Sequence, residues 1–540
     1  VGAPLGGPLV GIGPWNLAND VMIGVGVTHT YTLTVNVLLD LSAGSSGNNS
    51  YTACGTTQGV NFPIPGEGLY NRANLDMNND GTTDLTDDAC GDLPYITHEK
   101  TGPAISVLQA NGSYNVTYTV TVRNTGGAAG VYTLTDTPNF ENDITINGTP
   151  TFTTNAPGNA GGNLSSTNAT LNTLATTQSI VAGAVHTYIL NYNVTLDLTT
   201  ATPGVYDTYT ACSAGTSGNP VPARGLYNAT SLDAGSNGSI DERDDVCGDL
   251  PYIVHRKDVV TVSPTPDAQG RYTVTYTVVV QNLGGVSGTY DLVDTPNFDN
   301  DIVISEASYS TSNVVPAVAG GALSLINNTP NTLANDISIA AGITQTYTLT
   351  YRVRLDLSPT STDGGNNVYD ACGNITNTAG PVSPDGSTPG QGLYNSTALD
   401  LNNDGTPEQR DEICADLPFL TLAKTFVSAV PGAAAGAHTV TYTITVMNTG
   451  GIATTYDLRD VPGFDDDITI TSASYTAAGA GTVPPVVLAG SGPWLLADNA
   501  SIAAGVTHTY TLTIGVILNL SVGSSGNLSY TACGTTQGVN

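Results

Sequence analysis

Self-similarity is the property of this sequence that most limits how it can fold. Residues 114–127 (YNVTYTVTVRNTGG) return as residues 272–285 (YTVTYTVVVQNLGG) and again as residues 438–451 (HTVTYTITVMNTGG). Downstream, residues 136–146 (DTPNFENDITI) match residues 294–304 (DTPNFDNDIVI) and 460–470 (DVPGFDDDITI). A third block, HTYTLTVNVLLDL from His29, returns at His186, Gln345 and His508. A cysteine follows each copy, at Cys54, Cys212, Cys372 and Cys533, with spacings of 158, 160 and 161 residues. A fixed period of this size means one folding unit in tandem, each copy long enough to bury its own core.

Within a copy the hydrophobic period is two. Val116, Tyr118, Val120 and Val122 alternate with Asn115, Thr117, Thr119 and Thr121, and Tyr31, Leu33, Val35 and Val37 are expected to share one face of a strand. Turn signals such as NTGG, DTPNF and AAG separate these runs, and no amphipathic helix stands out. The expected fold is all-β: tandem immunoglobulin-like β-sandwich domains with little helix. Boundaries follow from the motifs. Residues 1–95 read as the C-terminal part of a repeat, 96–251 and 252–418 as complete repeats, and 419–540 as the N-terminal part of another. Residues 1–61 match 480–540 better than either intervening copy; both carry a tryptophan (Trp15, Trp494) and the ending TACGTTQGVN. This suggests a long period of three domains, and a segment that starts and stops inside a domain.

The ordered motifs YTVTVRNTGG, YTLTDTPNF, VAGAVHTYILNYNV and GLYNATSLD resemble the prokaryotic surface-repeat domain known as domain of unknown function eleven. The resemblance covers the complete and the partial repeats. It implies an immunoglobulin-like sandwich of secreted, cell-wall and filament-forming proteins, with no enzymatic activity and no particular ligand. The departure from it is a cysteine-bearing, Asp-rich insert from about Leu69 to Pro94.

Each YTAC-type cysteine is followed by one in a [DE]-x-C-[GA]-D-L-P context, which pairs Cys54 with Cys90, Cys212 with Cys247 and Cys372 with Cys414, and leaves Cys533 without a partner. Regular pairing of this kind fits an oxidising, extracellular compartment, and a zinc site would want closer cysteines or nearby histidine. Inside the first pair, Asp76, Asn78, Asp80, Thr82, Asp84 and Asp87 take positions 1, 3, 5, 7, 9 and 12 of a calcium loop, with Gly81 at the sharp turn. The third copy repeats this with Asp400, Asn402, Asp404, Thr406, Glu408 and Asp411. The second (Asp233, Asn237, Ser239, Asp241, Asp244) has Gly235 at position 3 and is expected to be weaker. The loops resemble dockerin and thrombospondin-type calcium repeats, which implies calcium as the bound ion. Lying just before the next repeat, they are expected at domain junctions. Asp294, Asp299 and Asp301 read as an Asx-rich turn.

No nucleophile elbow, phosphate loop or zinc signature is present. His29, His186 and His508 align with Gln345, and His98 and His255 with Leu422, a substitution that a required general base would not tolerate. The expectation is therefore a non-enzymatic protein. With 45 acidic against 13 basic residues and a net charge of −32, nucleic acid and anionic membranes are unfavourable partners. No run approaches the roughly 20 apolar residues of a membrane helix. Sequons at Asn48, Asn111, Asn115, Asn147, Asn163, Asn168, Asn193, Asn228, Asn237, Asn327, Asn374, Asn395, Asn499 and Asn527 make covalent glycans a further expectation. Together these features predict an extracellular or cell-surface filament or stalk that self-associates, with an adhesin binding glycans or proteins as the alternative.

Overall fold

The computed structural model describes residues 8–41, 50–55, 64–200, 205–212, 221–314, 320–357, 365–373, 387–479, 483–524 and 526–533. Asn48 and Asn374 lie outside them. The chain divides into two compact units, Val1–Leu250 and Pro251–Asn540. The fold is all-β, and among the described residues there is no α-helix.

The first unit opens with a hairpin, β1 (Asn71–Leu75) and β2 (Leu85–Ala89). Nine strands follow: β3 (Ile96–Ile105), β4 (Tyr114–Asn124), β5 (Gly130–Pro138), β6 (Ile144–Thr154), β7 (Gly162–Asn163), β8 (Asn172–Ile180), β9 (Val185–Leu196), β10 (Asn228–Ala234) and β11 (Glu242–Val246). They form two antiparallel sheets, in the orders β3-β4-β9-β6-β7 and β11-β10-β5-β8. The period-two pattern decides which face is covered. On β4 the side chains of Val116, Tyr118, Val120 and Val122 are fully buried, while Asn115 is exposed and the threonines are half-buried. Burying each such apolar side chain stabilises the fold by about 1.5–3 kcal/mol. Tyrosines tie one sheet to the other: the Tyr132 hydroxyl on β5 lies 2.7 Å from the Tyr188 hydroxyl and 2.8 Å from His186 Nδ1, both on β9.

In the second unit the same order recurs. The strands are β12 (Ile253–Val262), β13 (Tyr272–Asn282), β14 (Gly288–Pro296), β15 (Ile302–Ser312), β16 (Gly321–Ala322), β17 (Asn331–Ile339), β18 (Thr344–Leu355), β19 (Asn395–Asp400) and β20 (Gln409–Ile413). They make sheets β12-β13-β18-β15-β16 and β17-β14-β19-β20 around one core. Seven more, β21 (Leu420–Pro431), β22 (Ala437–Asn448), β23 (Thr454–Asp460), β24 (Ile468–Ala478), β25 (Val483–Leu488), β26 (Trp494–Ile502) and β27 (Thr507–Leu518), make sheets β21-β22-β27-β24-β25 and β23-β26 around another core. Among the described residues nothing pairs with β23 where β10 pairs with β5, and Leu422 and Phe426 on β21 are 65% and 58% exposed.

One expectation fails. The segment with Tyr31, Leu33, Val35 and Val37 forms no strand, and Val35 and Val37 are about half exposed. Its counterparts β9, β18 and β27 are each held between two strands drawn from earlier in their own copy. Residues 8–41 have no such neighbours among the described residues, and alternation alone does not make a strand.

Candidate cation site and its surrounding clamps

Each Asp-rich loop is the tip of a hairpin: β1–β2, β10–β11 and β19–β20. The tips share one hydrogen-bond skeleton. The position-1 aspartate accepts the amide of the turn glycine, Gly81 to Asp76, Gly238 to Asp233 and Gly405 to Asp400, each at 2.8 Å. The position-9 carboxylate accepts the amide of the residue after position 1: Met77 to Asp84, Ala234 to Asp241 and Leu401 to Glu408. Asn78 and Asn402 accept the amides of Asp80 and Asp404, which in turn accept those of Thr82 and Thr406. In the second loop Asn237 accepts the Ser239 amide. Donors from Thr82 hold the Asp80 carboxyl below its ordinary range. In the third loop Asp400, Asp404 and Glu408 each bring a carboxylate oxygen to within 4.8 Å of the others. Burial, with smaller contributions from the charges of Asp400 and Asp404, pushes the Glu408 carboxyl up. A cation there would meet three converging acids, an arrangement hard oxygen-seeking ions prefer.

Position 12 is a correction. Asp87, Asp244 and Asp411 are not in the loops but on the returning strands, paired with Ala73, Thr230 and Thr397. Asp244 and Asp411 accept the backbone amides of Lys100 and Lys257 at 2.6 Å and so stitch the edge of one sheet to the other. Along an extended strand each residue advances about 3.3 Å, so hairpin pairing carries position 12 away from the loop tip. The placement at a junction is corrected too. The second loop is tied to its own sandwich by Gly235 N to Val131 O and by Ser236 Oγ to Thr133 Oγ1, and in the third Asn403 donates to Asp336.

What does lie at the junctions is the D-L-P segment. Asp92, Asp249 and Asp416 each accept a tyrosine hydroxyl and the amide of a cysteine, from Tyr51 and Cys54, Tyr209 and Cys212, and Tyr369 and Cys372. The cysteines are bonded as Cys54–Cys90, Cys212–Cys247 and Cys372–Cys414, with sequence separations of 36, 35 and 42 residues; Cys533 is free and exposed. The NTGG turn of the following copy closes on the same segment. Thr125 and Gly127 donate to Tyr95 and Leu93, and Thr449 and Gly451 to Phe419 and Leu417. A Cβ on Gly126 or Gly450 would stand 2.3 Å from the Leu93 or Leu417 carbonyl oxygen, so only glycine allows this approach.

The Asx-rich turn has a comparable use. Asp301 accepts the amides of Asn367 and Val368, Asp299 that of Asp370, and Asp467 and Asp465 those of Ser529 and Thr531. These acids clamp the loops that lead to Cys372 and to Cys533. Among histidines, His98 lies 3.0 Å from both Glu242 and Thr230, His255 contacts Gln409, and His186 and His508 contact Tyr132 and Tyr456.

Of the sequons, Asn228 and Asn395 are fully buried and correct the expectation of sugars there, because no transferase reaches a core amide. Asn147, Asn168, Asn193 and Asn327 are half-buried with their Nδ2 donated to neighbours. Asn111, Asn115, Asn163, Asn237, Asn499 and Asn527 are exposed.

Sequence reasoning passed over one constellation. The chain has three lysines, Lys100, Lys257 and Lys424, all at one position of the repeat. Lys100 Nζ lies 2.7 Å from Asp136 and Lys257 Nζ 2.6 Å from Asp294, with every partner side chain at 0% exposure. Lys424 contacts Asp460 but is 40% exposed. The recurrence of lysine at one place in a chain otherwise almost without it was the available signal.

No family model matches the chain, and no curated protein does. Among solved structures, an exo-chitosanase of Amycolatopsis orientalis is 12% identical over 62% of this chain and 28% of its own, with a TM-score of 0.15. Red sea bream transglutaminase is 6% identical over 59% and 30%, at 0.15. The BSP domain of a biofilm-associated protein is 9% identical over 77% and 93%, at 0.17. The chain thus spans under a third of the two enzymes, and TM-scores this low assign neither family nor function.

Proposed function

We propose that this chain is a structural, non-catalytic segment of an extracellular filament or cell-surface stalk. The observation that carries the reading is the closure of the NTGG turn onto the preceding D-L-P segment at Gly126 in the first unit and at Gly450 in the second, which leaves no free linker at these two boundaries. Disulfides beside that contact suit an oxidising exterior, and a net charge of −32 keeps such a polypeptide soluble and off nucleic acid. Calcium belongs to the same proposal: a divalent ion at Asp400, Asp404 and Glu408 would neutralise three acids that repel one another. Self-association into a homopolymer, and glycans on the exposed sequons, complete it.

Electron microscopy of the purified full chain, with calcium and with chelator, tests the proposal. Ordered fibrils with neighbouring copies in contact support it. Dispersed chains that bind a glycan array would instead favour adhesion.

A further inference from the structure

The buried lysines sit beside a third group that the ion pair does not account for. On β10 and β19, Asn228 and Asn395 are fully buried in the same cores. Among the described residues the Asn228 amide has only the Tyr192 hydroxyl beside it, and Oδ1 of Asn395 has no hydrogen-bond partner. An orphaned amide in a core costs about 1–3 kcal/mol and needs a reason. Register supplies one. His98 Nε2 on β3 meets Thr230 Oγ1 on β10, which sets Lys100 and Asn228 each two residues further along, in opposite sequence directions, on the same stretch of the two strands. In the second unit a shared carboxyl group brings the two side chains together: Asp294 takes Lys257 Nζ on Oδ1 at 2.6 Å and Asn395 Nδ2 on Oδ2 at 3.3 Å. Amine and carboxamide thus share one carboxyl group.

We propose that Lys100 and Asn228, and likewise Lys257 and Asn395, are joined by intramolecular isopeptide bonds, with Asp136 and Asp294 as the proton-transferring carboxyls. The chemistry balances without a co-reactant. A proton passes from the ammonium to the aspartate, and the neutral Nζ attacks the asparagine Cγ while the carboxylic acid hydrogen-bonds to Oδ1. The aspartic acid gives that proton to Nδ2 and takes a second one from Nζ, the Cγ–Nδ2 bond breaks, and one amide forms; the ammonia leaves with the second proton as ammonium and the aspartate is regenerated. The surroundings favour each step. Burial lowers the lysine ammonium from its usual range even beside an aspartate. The Tyr118 and Tyr276 rings flank Nζ at 5.1 Å, and the hydroxyls of Tyr192 and Tyr351 donate to the far aspartate oxygen at 3.0 and 2.7 Å. Water is excluded. Each bond would tie an edge strand of one sheet to an inner strand of the other, so a pull on the domain ends would load a covalent bond rather than a ladder of hydrogen bonds.

The third lysine is a control within the molecule. Lys424 is paired with Asp460, but Asp460 Oδ2 has no partner among the described residues and no strand stands on that side of β23; no bond is expected there.

The test is digestion of the denatured, reduced full chain with an endoprotease that cuts only after free lysine, together with its mass. Cleavage at Lys424 alone, a deficit of about 17 Da per linkage, the mass of one ammonia, and, after further digestion with a second protease, a linked peptide at each of the other two lysines are expected. In Asp136→Ala, cleavage at Lys100 should return while Lys257 stays resistant. Cutting of the wild-type chain at all three lysines with no mass deficit would overturn the proposal, whether or not the variant folds. So would a water-loss linkage to Asp136 instead of Asn228.

Discussion

Asp299 shows how one buried acid acquires a pH dependence. Burial pushes its carboxyl up to about 6, although the amides of Asp301 and Asp370 oppose the shift. A raised acid binds its proton more readily in the folded state, so the stability from this site is full below the unfolded value near 4 and is lost as pH rises through 6. The stability difference between wild type and Asp299→Asn, followed by urea unfolding, should therefore fall by on the order of 2 kcal/mol between pH 4 and pH 7. Two glycines give a second comparison. Gly405 has φ +84° with nothing within 4 Å of an added Cβ, whereas Gly392, at φ +40°, would place it 2.6 Å from Cys372 Sγ. Gly405→Ala should cost about 1 kcal/mol for the left-handed backbone alone, and Gly392→Ala more than about 2 kcal/mol, in the same denaturation assay. Sequence reading found Asp299 but took it for a simple turn residue. Its partner Asp370 stands 71 positions away, and only the fold brings the two together.

At the scale of strands, alternation was legible wherever a segment had neighbours on both sides, as in β4, and misleading where it had none, as around Tyr31 to Val37. Positions 1 to 9 of the acidic loops form local Asx turns, which a sequence pattern can carry, whereas position 12 lies on the returning strand, where hairpin pairing sets its neighbours. It follows that Asp404→Ala should abolish a calcium-induced rise in melting temperature from the third loop, while Asp411→Ala should destabilise the fold with or without calcium by freeing the Lys257 amide. Calorimetry in calcium and in chelator separates the two. The disulfides belong at this scale as well. Opening the Cys212–Cys247 bridge, which spans 35 residues, should lower stability by about 3 kcal/mol, read as a lower melting temperature in the double serine variant.

For the whole molecule, repetition is what the sequence made plainest, and the recurring sheet orders follow from it. The means by which one copy meets the next was hidden. The closeness of Gly126 to Leu93 is a through-space fact, and the Asp-rich loops drew attention to the wrong place. Stiffness in this account comes from the clamp formed by the D-L-P segment, the cysteine pair and the NTGG turn. Amide hydrogen exchange of the intact chain reads that clamp directly at Thr125, Gly127, Thr449 and Gly451. Protection equal to that of the central strands β4 and β22 is expected. Exchange at the rate of an open loop would contradict the claim that, within each unit, one copy is joined to the next without a flexible linker.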